Sequence, residues 1–308
     1  MEMRKLGSSG PEISVVGFGA WEAGGGMWGE NESDRAVIDA IHAGLDAGMN
    51  WIDTAEVYGR GRSEELVGRA VKGRREDLLV FTKVAPERPG TGFRPEQVRK
   101  AVHASLRRLD LDHVDLYQLH WPDESIPIEE TWTAMAALQD EGLTRYVGVS
   151  NADWELVEAC LAIRHVDSVQ NELSLLHQDD RDGLLISLDG AGIGYLAYSP
   201  MALGLLTGSI SRDTQISDWR AAPGEAGSEL FRPGALERNL DLVESLRGVA
   251  ERIGMPLATL ALRWAIEQRG VTAAIAGSRN ADHARSNALA GDLRLAAELL
   301  AEIDRTFA

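Results

Sequence analysis

The sequence predicts an α/β domain of the (β/α)8, or TIM-barrel, class, spanning residues 1–308 as one unit. Three observations predict it. Short β-branched or aromatic runs alternate with amphipathic stretches of about 10–15 residues. Eight such alternations follow one another without a linker or low-complexity run, which favours parallel strands joined by crossover helices. The 308 residues accommodate the roughly 250 that such a barrel needs.

Residues Met1–Ser14 carry the turn signal Ser8-Ser9-Gly10-Pro11 and read as an N-terminal β-hairpin. Barrel strands follow at Val15–Phe18, Asn50–Asp53, Leu78–Thr82, Val114–Leu119, Arg145–Val149, Ser168–Gln170, Gly194–Tyr198 and Thr272–Ala276. Helical patterns between them include Asp34–Ala47, Pro95–Leu109, Ile128–Asp140 and Trp154–Ile163. Pro95 suits a first helical turn, and Asp153 can cap the stretch beginning at Trp154. A doubly wound open sheet is the alternative. Gly17-Phe18-Gly19 begins its dinucleotide fingerprint, but Glu22 stands where the third glycine belongs. The stretch Met201–Gly234 holds seven Gly or Pro residues and no sustained period. It reads as a long loop over the active face of the barrel.

Composition bounds the function. With 44% apolar and 26% charged residues the chain is globular. Its 31 Lys and Arg against 48 Asp and Glu give a net charge of −17. That surface repels nucleic acid and anionic membrane, while leaving room for a local basic pocket. Cys160 is the single cysteine, so no intramolecular disulfide or thiolate cluster forms. Placed on a helix, it reads as a packing residue. His42, His103, His113, His165 and His177 lack metal-ligand spacing, and no metal site is expected. The N-terminus MEMRKLGSSGPEIS lacks the apolar core of a signal peptide, and no apolar run is long enough to span a membrane. A cytoplasmic protein is expected.

Barrel active sites are assembled at the C-terminal ends of the strands, and those ends are polar here. Asp53-Thr54 ends one strand, with Tyr58 in the following loop. Thr82-Lys83, His120-Trp121-Pro122, Ser150-Asn151, Gln170-Asn171-Glu172, Tyr198-Ser199-Pro200 and Gly277-Ser278-Arg279 end the others. A Tyr hydroxyl beside a Lys ammonium releases its proton more easily, because the anion is stabilised. A carboxylate keeps that Lys charged and oriented, and a neutral His can donate to a substrate oxygen. Asp53, Tyr58, Lys83 and His120 together suit a general acid that protonates a carbonyl oxygen as it gains negative charge. Taken singly, Lys83 and Asp53 also read as a strand-end ion pair, and Ser150-Asn151 as a helix cap.

At these residues the chain resembles the aldo-keto reductase superfamily over nearly its whole length. The segments that carry the resemblance are IDTAEVYGRGRSEELVG (Ile52–Gly68), Thr82-Lys83, LHWPD (Leu119–Asp123), VGVSN (Val147–Asn151), QNE (Gln170–Glu172), YSP (Tyr198–Pro200) and AGSRNADHARSNA (Ala276–Ala288). The glycine-rich first loop and LGLLTG (Leu203–Gly208) are most similar to bacterial general-stress and inositol-associated members. The resemblance implies a barrel that binds NADPH or NADP+ in an extended pose. Tyr58 would be the proton donor, tuned by Lys83 and Asp53, with His120 orienting the carbonyl. Ser150, Asn151 and Gln170 would hold the nicotinamide carboxamide, and Tyr198 would stack on the ring. Ser199, Pro200, Met201, Leu203, Gly204 and Leu205 would follow the pyrophosphate. Ser278 and Arg279 would meet the adenosine 2′-phosphate, with Asn287 at the adenine and Gly277 also among the cofactor-binding residues.

Two departures stand out. His283 takes the position where the family usually has Gln, and can both hydrogen-bond and titrate. The chain ends soon after its last helix, so the substrate walls are expected from the loops, with Trp21, Trp28 and Trp121 as candidates and Trp219 undecided. Trp51, Trp132, Trp154 and Trp264 read as core. The expected function is NADPH-dependent reduction of an aldehyde or ketone by hydride transfer, on a small-molecule substrate. The alternatives are oxidation of a sugar or cyclic polyol, and a slow-turnover, cofactor-sensing regulatory subunit. The sequence leaves the oligomeric state open.

Overall fold

A computed structural model describes residues 1–307 except 30, 32, 87–92, 124, 225 and 226. The predicted extent to residue 308, and the part of the long loop at 225 and 226, lie outside the described residues. A hairpin of β1 (Met3–Lys5) and β2 (Glu12–Ser14), with Arg4 opposite Ile13, precedes the barrel. Eight parallel strands then close on themselves in chain order: β3 (Val16–Gly19), β4 (Trp51–Asp53), β5 (Leu79–Val84), β6 (Val114–Leu119), β7 (Thr144–Ser150), β8 (Ser168–Glu172), β9 (Gly194–Tyr198) and β10 (Val271–Gly277). The barrel is a TIM barrel, and the open-sheet alternative is excluded by the pairing of β10 with β3.

The crossovers are α1 (Asp34–Asp46), α2 (Arg62–Val71), α3 (Pro95–Leu109), α4 (Ile128–Asp140), α5 (Trp154–Leu161) and α6 (Leu184–Ala191). After β9 the chain makes its long excursion, then α7 (Ala235–Ile253) and α8 (Leu257–Glu267) lead into β10, with α9 (Ala281–Leu289) and α10 (Ala297–Thr306) closing the fold. Pro95 opens α3, and the Asp153 side chain accepts from the Leu156 N–H to cap α5, as their chemistry requires.

Several strands run past their apolar patterns. Pairing continues through Lys83 opposite Gln118, Ser150 opposite Gln170, and Asn171 opposite Ala197. These polar side chains therefore project from hydrogen-bonded strands rather than from loops. Ladder bonds belong to the backbone, so a strand does not stop where its hydrophobic pattern does.

The barrel floor is packed with Trp51, Phe81, Leu116, Leu196 and Ala273, against Leu6 and Ile13 of the hairpin. The Trp51 and Phe81 rings lie 4.9 Å apart, and the Trp51 indole N–H donates to the Ser14 carbonyl at 2.8 Å. Gly17 makes room for that indole, since a Cβ there would lie 2.2 Å from its ring carbons. Gly17→Ala should therefore lose about 1–3 kcal/mol of stability through overpacking. A lowered midpoint of thermal unfolding checks this, and an unchanged one would show that the indole can step aside at no cost.

A larger apolar layer lies between strands and helices, and holds Cys160 fully buried on α5. Burial there, with Glu129 nearby, pushes its thiol up to about 12. In a further cluster Ala202, Leu205 and Leu206 of the long loop pack on the late helices. Their neighbours there include Val243 and Leu246 of α7, Leu260 and Trp264 of α8, and Ile303 of α10. The excursion after β9 thus begins with an anchored segment. Leu205 is fully buried in that cluster, so only its backbone is left to meet a ligand.

Candidate active site

The strands deliver their last side chains to one mouth of the barrel. Gly19, Asp53, His120, Ser150, Gln170, Tyr198, Ile275 and Gly277 all border a cavity of about 860 Å³ there. That is within the usual range for small-molecule sites. A smaller chamber of about 360 Å³ adjoins it and shares Glu22, Ser278 and His283.

At its centre lies the predicted tetrad. Lys83 is fully buried; its Nζ donates to Asp53 Oδ1 at 2.5 Å, to the Thr54 carbonyl at 3.0 Å and to the Tyr58 hydroxyl at 3.4 Å. The other carboxylate oxygen, Asp53 Oδ2, accepts from the Gln170 amide at 2.9 Å. Burial works against the Lys83 ammonium, but Asp53 and Tyr58 outweigh it and raise its pKa. Tyr58 is also raised above an ordinary phenol. Burial sets that direction and the Lys83 charge opposes it. The expectation that Lys83 lowers the Tyr58 pKa is met in sign of interaction, while desolvation wins the sum.

The His120 ring stands edge-on to Tyr58, with centroids 5.5 Å apart at 79°, and Trp121 packs against it at 4.5 Å. Burial, helped by the Lys83 charge, holds His120 well below the usual imidazole pKa, so it is neutral at neutral pH. Its Nδ1 is buried with no hydrogen-bond partner among the described residues. His120 borders the cavity, and a neutral imidazole that carries its N–H on the ring nitrogen facing it can donate to a ligand's oxygen.

Beside the tetrad the donors change character. The Ser150 hydroxyl donates to the Gln170 carbonyl at 2.6 Å. Asn151 donates to the His120 carbonyl at 2.8 Å and accepts from the Tyr198 hydroxyl at 2.7 Å. Ser199, Pro200, Met201, Leu203 and Gly204 carry the wall onward. Asn151, Ser199, Ala202 and Leu203 all hold φ near +50°, a conformation that non-glycine residues adopt at a cost and that clusters at ligand sites. At the far end Gly277, Ser278, His283 and Asn287 border the main cavity, while Arg279 borders the smaller chamber. Amide and hydroxyl groups at one end, an aromatic ring beside them, and Arg279 and His283 at the other fit an elongated molecule with an amide head and a charged tail. The donor set thus fits a nicotinamide dinucleotide.

Trp21, Trp28 and Trp121 all line the cavity. Trp219, undecided from sequence, packs on the first two: Trp21–Trp28, Trp21–Trp219 and Trp28–Trp219 centroids are 5.1, 5.5 and 5.6 Å apart. Arg220 stacks over Trp28 at 5.4 Å and donates to the Leu203 carbonyl at 2.8 Å. Sequence reasoning missed Glu22, Arg220, Thr207, Ser209 and Ser286, which also line the cavity. In the sequence Glu22 is no more than an interruption of a glycine pattern. Arg220 and the two hydroxyls lie in a stretch without periodicity. Ser286 lies within the segment Ala276–Ala288, but nothing in its spacing singles it out.

The family model for the aldo/keto reductase family matches residues 15–307. The chain belongs to the aldo-keto reductase family. The aldo-keto reductase YhdN of Bacillus subtilis is 34% identical over 292 residues, covering 91% of this chain and 85% of the relative. The NADH-specific methylglyoxal reductase of Escherichia coli is 32% identical over 316 residues, covering 96% and 95%. Among solved structures, the glycerol dehydrogenase of Gluconobacter oxydans superposes with a TM-score of 0.86 at 31% identity, covering 99% of this chain and 94% of that one. An aldo-keto reductase of Klebsiella pneumoniae, solved with NADPH, gives 0.79 at 29% identity over 100% and 96%. Family membership makes this aldo-keto reductase an oxidoreductase acting on carbonyl compounds. Among its described residues no helix is long and apolar enough to cross a membrane.

Proposed function

We propose that this aldo-keto reductase reduces aldehydes or ketones to alcohols with a nicotinamide dinucleotide, and that Tyr58 is the proton donor. One observation carries the reading: a buried Lys83 ammonium spans the Asp53 carboxylate and the Tyr58 hydroxyl beside a neutral His120. When bound, the dinucleotide supplies the hydride. Tyr58 then gives its hydroxyl proton to the carbonyl oxygen, which His120 orients through a hydrogen bond. Lys83 stabilises the phenolate left behind, and Asp53 keeps Lys83 charged. Ser150, Asn151 and Gln170 hold the carboxamide, Tyr198 covers the ring, and the wall from Ser199 to Gly204 follows the pyrophosphate. The chamber of Ser278, Arg279 and His283, with Gly277 and Asn287 beside it, takes the adenosine end. Trp21, Trp28 and Trp121 enclose the substrate.

The likeness to a glycerol dehydrogenase favours a second reading, in which the same residues oxidise a polyol. The test is NADPH absorbance with a reactive aromatic aldehyde, next to NADP+ reduction with glycerol and inositol. Fast loss of absorbance supports the reductase. NADPH that binds without being consumed, together with brisk polyol oxidation, supports the second reading. Absence of dinucleotide binding overturns both.

A further inference from the structure

The small chamber at the end of β10 contains an unexpected charge. Glu22 lines both it and the main cavity, and its Oε2 is 3.9 Å from Arg279 Nε. The cation that should attract a phosphate is already engaged. Arg279 donates to the Trp28 carbonyl at 2.9 Å and to the Gly29 carbonyl at 3.3 Å. The donors at the start of α9 are engaged too, because Asn280 Oδ1 accepts from the N–H groups of Asp282 and His283 at 2.8 and 3.1 Å. Ser278 Oγ donates to the Asn280 carbonyl at 3.1 Å. What faces a ligand here is an acceptor carboxylate beside an Arg279 that already has partners, with the His283 side chain also on the wall.

We propose that Glu22 selects the cofactor: its carboxylate accepts a hydrogen bond from the free 2′-hydroxyl of NADH and opposes the 2′-phosphate of NADPH. This rests on the reading above, that the adenosine end lies in this chamber. An acidic side chain bonded to the ribose 2′-hydroxyl is a general way of favouring NAD over NADP, and a carboxylate beside a phosphate is repelled. Burial pushes the Glu22 carboxyl up, opposed by Arg279, Arg220 and His283, the charged or titratable groups around it. Where Glu22 is ionised, NADPH loses the advantage that Arg279 alone would give it.

The test is a binding measurement without substrate. Dissociation constants for NADH and NADPH are measured by tryptophan fluorescence or calorimetry on the wild type, Glu22→Gln and Glu22→Ala. NADPH should tighten by about tenfold or more in Glu22→Gln, with NADH unchanged or weakened. Glu22→Ala, which removes the carboxylate without leaving an amide, should move the ratio in the same direction. If the wild type binds dinucleotide and neither variant alters the NADPH-to-NADH ratio, Glu22 is not the selector and the reductase reading stands. If the wild type binds neither form, both fall.

Discussion

Tyr58→Phe should lose about 10²–10⁴-fold in kcat for carbonyl reduction, with dinucleotide affinity nearly unchanged. The substitution deletes one oxygen. The ring that packs 6.1 Å from Trp21 and 5.5 Å from His120 keeps its place, so the cavity wall survives while the transferable proton goes. Absorbance kinetics measure the first effect and fluorescence titration the second. Near-normal turnover in the variant would remove Tyr58 from the proposed role. The pH profile adds a second check. Because burial raises the Tyr58 hydroxyl above its ordinary value, the free enzyme carries the proton through neutral pH. Reductive kcat/KM should therefore show no loss from this group until pH passes about 10, and Tyr58→Phe should abolish that alkaline limb.

Lys83→Met should damage both activity and stability, and the two effects can be separated. Asp53 is 3% exposed, and without the ammonium it would keep the Gln170 amide as a side-chain donor. Removing one partner of a buried ion pair costs about 3–5 kcal/mol. Replacing both with neutral groups costs far less, so Lys83→Met with Asp53→Asn should recover much of the stability in chemical denaturation. Turnover should stay low in both, since neither restores a cation beside the phenol. A double variant no more stable than Lys83→Met alone would mean that the uncompensated Asp53 charge was not the source of the loss.

The part of this molecule legible in its sequence is the part governed by local pattern. Eight strand positions, the caps at Pro95 and Asp153, and the tetrad at adjoining strand ends follow from periodicity and from where polar residues interrupt it. The strands that continue through Lys83, Ser150 and Glu172 outrun their apolar patterns, because pairing is a property of two chains of backbone and not of one apolar run. The chamber beside β10 is legible only in half. Ser278 and Arg279 announce a site for an anion, but the carbonyls of Trp28 and Gly29 that engage Arg279 come from about 250 residues away, and Glu22 arrives with them. Trp219 and Arg220 are hidden for the same reason, since nothing near them in sequence indicates the first loop as their neighbour.

The placement of the single cysteine and of the active-site lysine has a further consequence. Aldehydes inactivate many proteins by alkylating thiolates and by condensing with uncharged amines. Here Cys160 is fully buried, with its thiol pushed up to about 12, and Lys83 is held as an ammonium by Asp53. The same ion pair that prepares Tyr58 withholds the amine from imine formation. On the proposed function, these two groups are thereby protected against the chemistry of the protein's own substrates.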